Sequence, residues 1–366
     1  VYVGLDLEFG HQTSTSAAAV QRGVEIAIAE VNAAGGVLGG RPLEAVVMSN
    51  RAVPARGVEN LRALAERKDL VAVLCGKFSP VVLEQIPLLS ELKIPLLDPW
   101  AAADGIVDNG QRPNYVFRLS LRDSWAMQTM LGYAASRGFT RVGLLLPNTG
   151  WGRSNAAAAE AYQARHPNPR IVSTRWFNWG VESLREDYEA FRAAGAQAIV
   201  FVTNESPGSM LVREVAALPP AERLPIIAHH GIAGGDLVTL SGPALAKVDL
   251  SVVQFFTFVG NKRPPARALL ESVEKRYGVQ DASAVLSAGG LAAAYDLTHL
   301  LARAVQKAGT TDRSAVRKAL EELREYDGAV KRLPRPFTSE RHEALGPEDL
   351  FMARFTPEGA LVRIAP

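Results

Sequence analysis

The stretch Ser14-Thr15-Ser16-Ala17-Ala18-Ala19-Val20-Gln21-Arg22-Gly23-Val24-Glu25-Ile26-Ala27-Ile28-Ala29-Glu30-Val31-Asn32-Ala33-Ala34-Gly35-Gly36-Val37-Leu38-Gly39-Gly40-Arg41-Pro42 decides the architecture of this 366-residue chain. Val20, Val24, Ile28 and Val31 recur at helical spacing while Arg22, Glu25 and Glu30 fall on other faces, so the segment predicts one amphipathic helix. Ser14, Thr15 and Ser16 are candidate N-caps, because a short hydroxyl side chain can accept from the unpaired amides of a first turn. Asn32-Ala33-Ala34-Gly35-Gly36 supplies the stop, since glycine takes the left-handed cap conformation without a Cβ clash. Ahead of the helix, Val1-Tyr2-Val3-Gly4-Leu5 reads as a strand. The unit is strand, polar loop, helix, turn.

The alternation repeats outward from that unit. Strands are predicted over 1–9, 43–49, 70–75 and 94–97, with helices over 16–33, 54–67 and 79–92, which is a doubly wound α/β lobe on a parallel sheet. A second series follows: helix 123–137, strand 140–146, helix 153–165, strand 170–177, helix 182–194, strand 197–202, helix 207–217 and strand 224–229. A strand near Val252–Phe256 comes next, then helices over Pro265–Tyr277 and Ala284–Ala308. At the tail, Leu350–Phe355 and Leu361–Ile364 flank Thr356-Pro357-Glu358-Gly359-Ala360, the pattern of a β-hairpin with a proline-containing turn. Residues 331–349 have no periodicity that gives them a role.

Composition limits the function. With 48% hydrophobic residues the chain can fill two cores of ordinary size. A net charge of +2 implies neither nucleic acid nor an acidic membrane surface as partner. No apolar run approaches the ~20 residues of a membrane helix. The one cysteine, Cys75, closes the apolar run Leu70–Leu74, so it reads as core packing, and no disulfide can form within the chain. Starting inside a strand without an initiator Met is what a mature, processed secreted protein shows, and equally a trimmed chain.

Several chemistries are disfavoured by placement. Gly35-Gly36-Val37-Leu38-Gly39-Gly40 follows the first helix, whereas a dinucleotide fold needs its glycines between the first strand and that helix. There is no phosphate-binding loop with its Gly-Lys-Ser/Thr, no Gly-x-Ser-x-Gly elbow, no His-Glu-x-x-His, and no cysteine and histidine set with zinc spacing. No metal or cofactor is expected. An enzyme would need a nucleophile and base brought together by the fold, and Ser79 with His230 is the pair that could serve.

From Gly23 to Glu44 the sequence resembles the opening of the leucine/isoleucine/valine-type periplasmic solute-binding proteins, the capture subunits of ABC importers, and the resemblance extends over nearly the whole chain. It implies the type I periplasmic binding protein fold, an α/β architecture of two doubly wound parallel-sheet lobes joined by a three-stranded hinge. Crossings are expected near Ser120, Gln254 and Asp327, giving an N-terminal lobe of 1–119 plus 255–327 and a C-terminal lobe of 120–254 plus 328–366, with a ligand cleft between them. The implied partners are a small-molecule ligand and a membrane permease, the implied location periplasmic or extracytoplasmic.

In such a fold the ligand meets loops at the carboxyl ends of strands, where helix N-termini aim unpaired N–H groups. The resemblance places Phe9 in the first loop and Lys77, Phe78 and Ser79 in the second. It places Trp100, Ala101 and Ala102 in the third, and Trp151, Glu205, His230 and Phe256 in the second half. Ser79 would grip a ligand carboxylate or be a simple N-cap; Trp100 would wall the ligand or pack in the core. The sequence departs from the family pattern at Asp98 and Ala102, where hydroxyl residues are usual, at Trp100, where a small residue is usual, and at His230, where amino-acid binders carry a carboxylate for the ligand ammonium. An imidazole cannot neutralise an ammonium and is suited to donating to an anion. His229, beside it on a strand end, is expected to point to the opposite face as a structural residue. A small carboxylate with an apolar body, aliphatic or aromatic, fits these departures. Glu205 keeps a branched-chain or other amino acid open as the alternative, and a ligand-sensing module of the same fold is the third class.

Overall fold

The computed structural model describes residues 1–11, 13–356 and 360–365. The chain forms two compact units, Val1–Ser120 with Gly260–Gly346, and Leu121–Val259 with Pro347–Pro366.

The first unit opens with β1 (Tyr2–Leu7), α1 (Ser16–Ala33), β2 (Glu44–Ser49), α2 (Pro54–Ala65), β3 (Leu70–Cys75), α3 (Ser79–Glu91), β4 (Leu96–Asp98) and β5 (Val116–Arg118). These strands form one parallel sheet in the order β2-β1-β3-β4-β5. All six β3 residues are buried, as a strand covered on both faces requires. Leu61, Leu64, Val73, Leu89, Ile94 and Val116 belong to the core on one side of it. α1 stops where the sequence predicts: Gly36 adopts a φ of +72° and its N–H donates to the Val31 carbonyl at 2.9 Å. Its start differs. Thr15 holds the N-cap position without a side-chain capping bond, its hydroxyl lying instead 2.7 Å from Ser287 Oγ, while the neighbouring Ser14 and Ser16 hydroxyls are engaged with Glu8.

The second unit contains α4 (Asp123–Ser136), β6 (Arg141–Pro147), α5 (Gly150–Gln163), β7 (Arg170–Phe177), α6 (Arg185–Ala193), β8 (Ala198–Phe201), α7 (Glu205–Ala216), β9 (Ile226–Ala228), α8 (Leu237–Ser241) and β10 (Leu250–Gln254). α5 begins three residues earlier than its periodicity indicates, because Thr149 Oγ1 accepts from the Gly152 amide at 3.3 Å and caps the turn that carries Trp151.

The chain then adds α9 (Pro264–Tyr277), α10 (Ala288–Ala308), α11 (Arg313–Glu321) and a small ladder of β11 (Tyr326–Asp327) and β12 (Arg332–Leu333) to the first unit. α10 starts at Ala288 and not at Ala284, since Ser287 sits at φ +54° after a 3₁₀ turn over Ala282–Ala284. Finally β13 (Phe351–Phe355) and β14 (Leu361–Arg363) pair antiparallel at one edge of the second sheet, whose order is β14-β13-β10-β9-β8-β6-β7. The proline-containing turn expected at 357–359 lies outside the described residues.

The units divide after Ser120, Val259 and Gly346, against crossings read near Ser120, Gln254 and Asp327. Residues 328–346 pack with the first unit for a visible reason. The buried Asp296 carboxylate on α10 accepts from the Ala329 and Val330 amides and the Tyr326 hydroxyl, each at 2.8 Å. Residues 342–344 run alongside the edge strand β5.

Candidate functional site

In the first unit β1, β3 and β4 are in register, with Asp6 beside Cys75 and Leu74 beside Leu97, so the loops that follow them emerge together at one sheet edge. Phe9, half-buried, presents its carbonyl to Ser49 Oγ at 2.8 Å. The next loop buries Lys77, whose Nζ lies 5.3 Å from the centroid of the Phe78 ring.

The loop 100–103 has no regular structure, and side chains hold its backbone in place of a ladder. Asp98 Oδ1 accepts from the Trp100 amide at 2.9 Å and the Ala101 amide at 2.7 Å. Ser79 Oγ accepts from the Ala102 and Ala103 amides, both at 3.2 Å. The Arg118 guanidinium donates through Nη1 to the Ala101 and Ala103 carbonyls at 3.0 Å, and Ser120 Oγ donates to the Trp100 carbonyl at 3.3 Å. Buried polar backbone needs such partners. The N-cap alternative for Ser79 is thereby corrected: Phe78 occupies the N-cap position, and Ser79, first residue of α3, turns its oxygen to the neighbouring loop.

Two further departures acquire a physical account. Asp98, wholly buried, has its carboxyl pushed up to about 7 by desolvation, against the opposing pull of the Arg118 guanidinium 3.9 Å away. Burial, and then the Asp98 charge, raise the thiol of Cys75, whose Sγ lies 3.5 Å from Asp98 Oδ1. Trp100 takes the packing role: a Cβ built on Gly290 of α10 would stand 2.2 Å from its Cε3, so the indole lies flush on that helix. Ala101 and Ala102 are buried.

In the second unit Trp151, in the first turn of α5, donates its indole N–H to Asp123 Oδ1 at 3.0 Å. His229 Nε2 stands 3.2 Å from the same oxygen, and both residues are fully buried. The Gly231 amide approaches His229 Nδ1 at 3.5 Å, while Nε2, on the side of the carboxylate, lacks hydrogen-bond geometry to it. The expectation that His229 and His230 point apart is corrected. β9 ends at Ala228, the strand alternation stops there, and the two rings pack edge to face at 4.8 Å. His230 lies 6.3 Å from the Phe255 ring, while Phe256 packs edge to face on Phe258 at 4.8 Å. Glu205 is buried as the first residue of α7, where the helix dipole favours a carboxylate.

Sequence reasoning missed Arg118, Ser120, Asp123 and Glu343. For Arg118 a signal existed: a lone charge inside Tyr115-Val116-Phe117-Arg118-Leu119 predicts a buried ion pair. Two cavities of the first unit, of about 640 Å³ beside α1 and α10 and about 500 Å³ beside Asn114 and His342, are lined by none of the candidate residues. Among the described residues no group of three His, Cys, Asp or Glu could hold a metal, and no helix is long and apolar enough to cross a membrane.

The periplasmic binding protein family model matches residues 3–360. No curated protein matches the chain. Among solved structures, a type 1 periplasmic binding protein from Bordetella pertussis Tohama I superposes with a TM-score of 0.89 at 23% identity, covering 100% of both chains. A leucine-binding protein from Thermotoga maritima gives 0.82 at 17% identity over 100% of this chain and 98% of its own. An ABC transporter solute-binding protein from R. palustris, in complex with benzoate, gives 0.82 at 15% identity over 99% and 95%.

Proposed function

We propose that the ligand of this chain, which belongs to the periplasmic binding protein family, is a small organic carboxylate with an apolar body, an aliphatic or aromatic acid. The family is one of binding proteins, and we infer that a membrane permease is the partner this chain serves.

The observation that carries the ligand class is the bonding of Ser79. Its oxygen already accepts two amides, so what the hydroxyl has left to offer is its proton, a donor suited to an anion. Lys77 beside it supplies positive charge, and the Phe78 ring supplies apolar surface. The amides of 100–103 are already engaged by Asp98 and Ser79, which favours a ligand gripped by side chains over one cradled by backbone. His230, in place of a carboxylate, supports an acid without an ammonium. The benzoate carried by the R. palustris protein agrees with this class. A second reading, an amino acid, is favoured by the buried Glu205 carboxylate and by the leucine-binding relative.

Thermal-shift screening against organic acids and amino acids tests the proposal. An acid such as benzoate should raise the melting temperature, by an amount that grows with the logarithm of its concentration above the dissociation constant. A response confined to amino acids would favour the second reading.

A further inference from the structure

Residues 331–346 have no part in the site as the sequence describes it, yet they reach it through one ion pair. Arg118 ends β5 and is fully buried. Its Nε donates to Glu343 Oε2 at 2.9 Å and its Nη2 to Glu343 Oε1 at 2.5 Å, a two-point match between a planar fork and a carboxylate. Its remaining nitrogen, Nη1, makes the two bonds to the Ala101 and Ala103 carbonyls. One guanidinium thus faces a carboxylate on one side and the loop on the other.

Glu343 is fixed in turn. The Arg118 amide donates to the His342 carbonyl at 2.8 Å and the Ala344 amide to the Arg118 carbonyl at 2.9 Å, so residues 342–344 extend the sheet beyond β5. His342 stacks on Phe117 at 4.0 Å, with Nδ1 2.8 Å from the Val116 carbonyl and Nε2 3.0 Å from Glu321. Phe337 packs edge to face on the same Phe117 ring at 5.0 Å.

We propose that Arg118 and Glu343 are positioning residues for the ligand loop 100–103, and that residues 337–346 are the strap that carries Glu343 to it. The inference rests on the functional reading of that loop. Without Glu343, the guanidinium is free to swing from the two carbonyls toward Asp98. The loop then loses two of its fixed points while β1 and β3 keep theirs. Arg118 is fully buried, so its effect passes through the backbone of Ala101 and Ala103.

The test compares wild type, Glu343→Gln and Arg118→Lys by peptide-level hydrogen exchange and by calorimetric titration with benzoate and with L-leucine, well below the melting temperature. The Gln variant keeps the side chain's shape but not its charge, and it serves as the arm that folds should the Lys variant fail to. We expect exchange over residues 99–103 to rise about tenfold, exchange over β1 and β3 to stay at the wild-type rate, and affinity for whichever probe the wild type binds to fall by about tenfold. Wild-type exchange in that loop in a folded Gln variant overturns the proposal, as does a rise shared equally by β1 and β3. Wild-type affinity despite a loosened loop overturns it too. If the wild type binds neither probe, the proposed ligand class fails, and the exchange arm, which needs no ligand, still decides whether the strap holds the loop.

Discussion

Substituting Gly290 by Ala tests the seat of Trp100. The added Cβ would stand 2.2 Å from Cε3 and 2.5 Å from Cζ3 of the indole, so the ring or the helix must move by about 1.2 Å to reach ordinary contact. The ring cannot slide easily, because the Trp100 amide is held by Asp98 and its carbonyl by Ser120. Overpacking of this kind costs about 1–3 kcal/mol, while Ala in place of Gly within a helix returns about 1 kcal/mol. The net expectation is a loss of about 1 kcal/mol. With Trp100→Leu in place the obstacle is gone, and the same Gly290→Ala change should stabilise by up to about 1 kcal/mol. The sign therefore reverses between backgrounds, a coupling of about 2 kcal/mol. Urea unfolding of the four proteins, read on the transition that Trp100→Leu shifts, measures it. A coupling below about 0.5 kcal/mol would refute the seating of Trp100 on α10.

Ser79→Ala leaves the Ala102 and Ala103 amides without their acceptor; shared at 3.2 Å on one oxygen, the two bonds should together be worth about 2 kcal/mol, and benzoate affinity should fall as well. An unchanged melting curve contradicts the first part, an unchanged titration the second. Asp98→Asn should alter the pH profile of stability. With the folded carboxyl raised to about 7 from 3.8, the native state binds the proton more tightly, so wild type gains stability as pH falls through that window and the Asn variant lacks this gain. Melting profiles that stay parallel from about pH 8 to about pH 5 would sink this reading. Asp296→Ala removes the acceptor of three donors and should cost about 3 kcal/mol, with faster hydrogen exchange over 326–330 and no change over β8.

Much of the fold was legible because it is periodic. The run from Val20 to Val31 and the glycines after it place α1 and its stop, and the apolar runs place β3, β6 and β8, since a buried parallel strand must be apolar on both faces. β5 escaped: three residues cannot show a period, and its strand character comes from pairing with β4. α11 escaped as well, because its nine residues bury only Val316, Ala319 and Leu320. At the site, the loops were legible from strand ends, but the partners of their side chains were not. Ser79 was read as contact or cap, and the two amides that donate to its oxygen lie 23 and 24 residues away. Arg118 meets Glu343 across 225 residues, a pairing no local pattern encodes.

Whether the ligand is an anion without an ammonium is decided by calorimetric titration of the wild-type protein with L-leucine and with isocaproate, which share a carbon skeleton and differ in the α-ammonium. Isocaproate should bind more tightly by at least about tenfold, or about 1.4 kcal/mol. L-Leucine binding as tightly as isocaproate, or more tightly, would contradict it and transfer the ammonium-pairing role to Glu205.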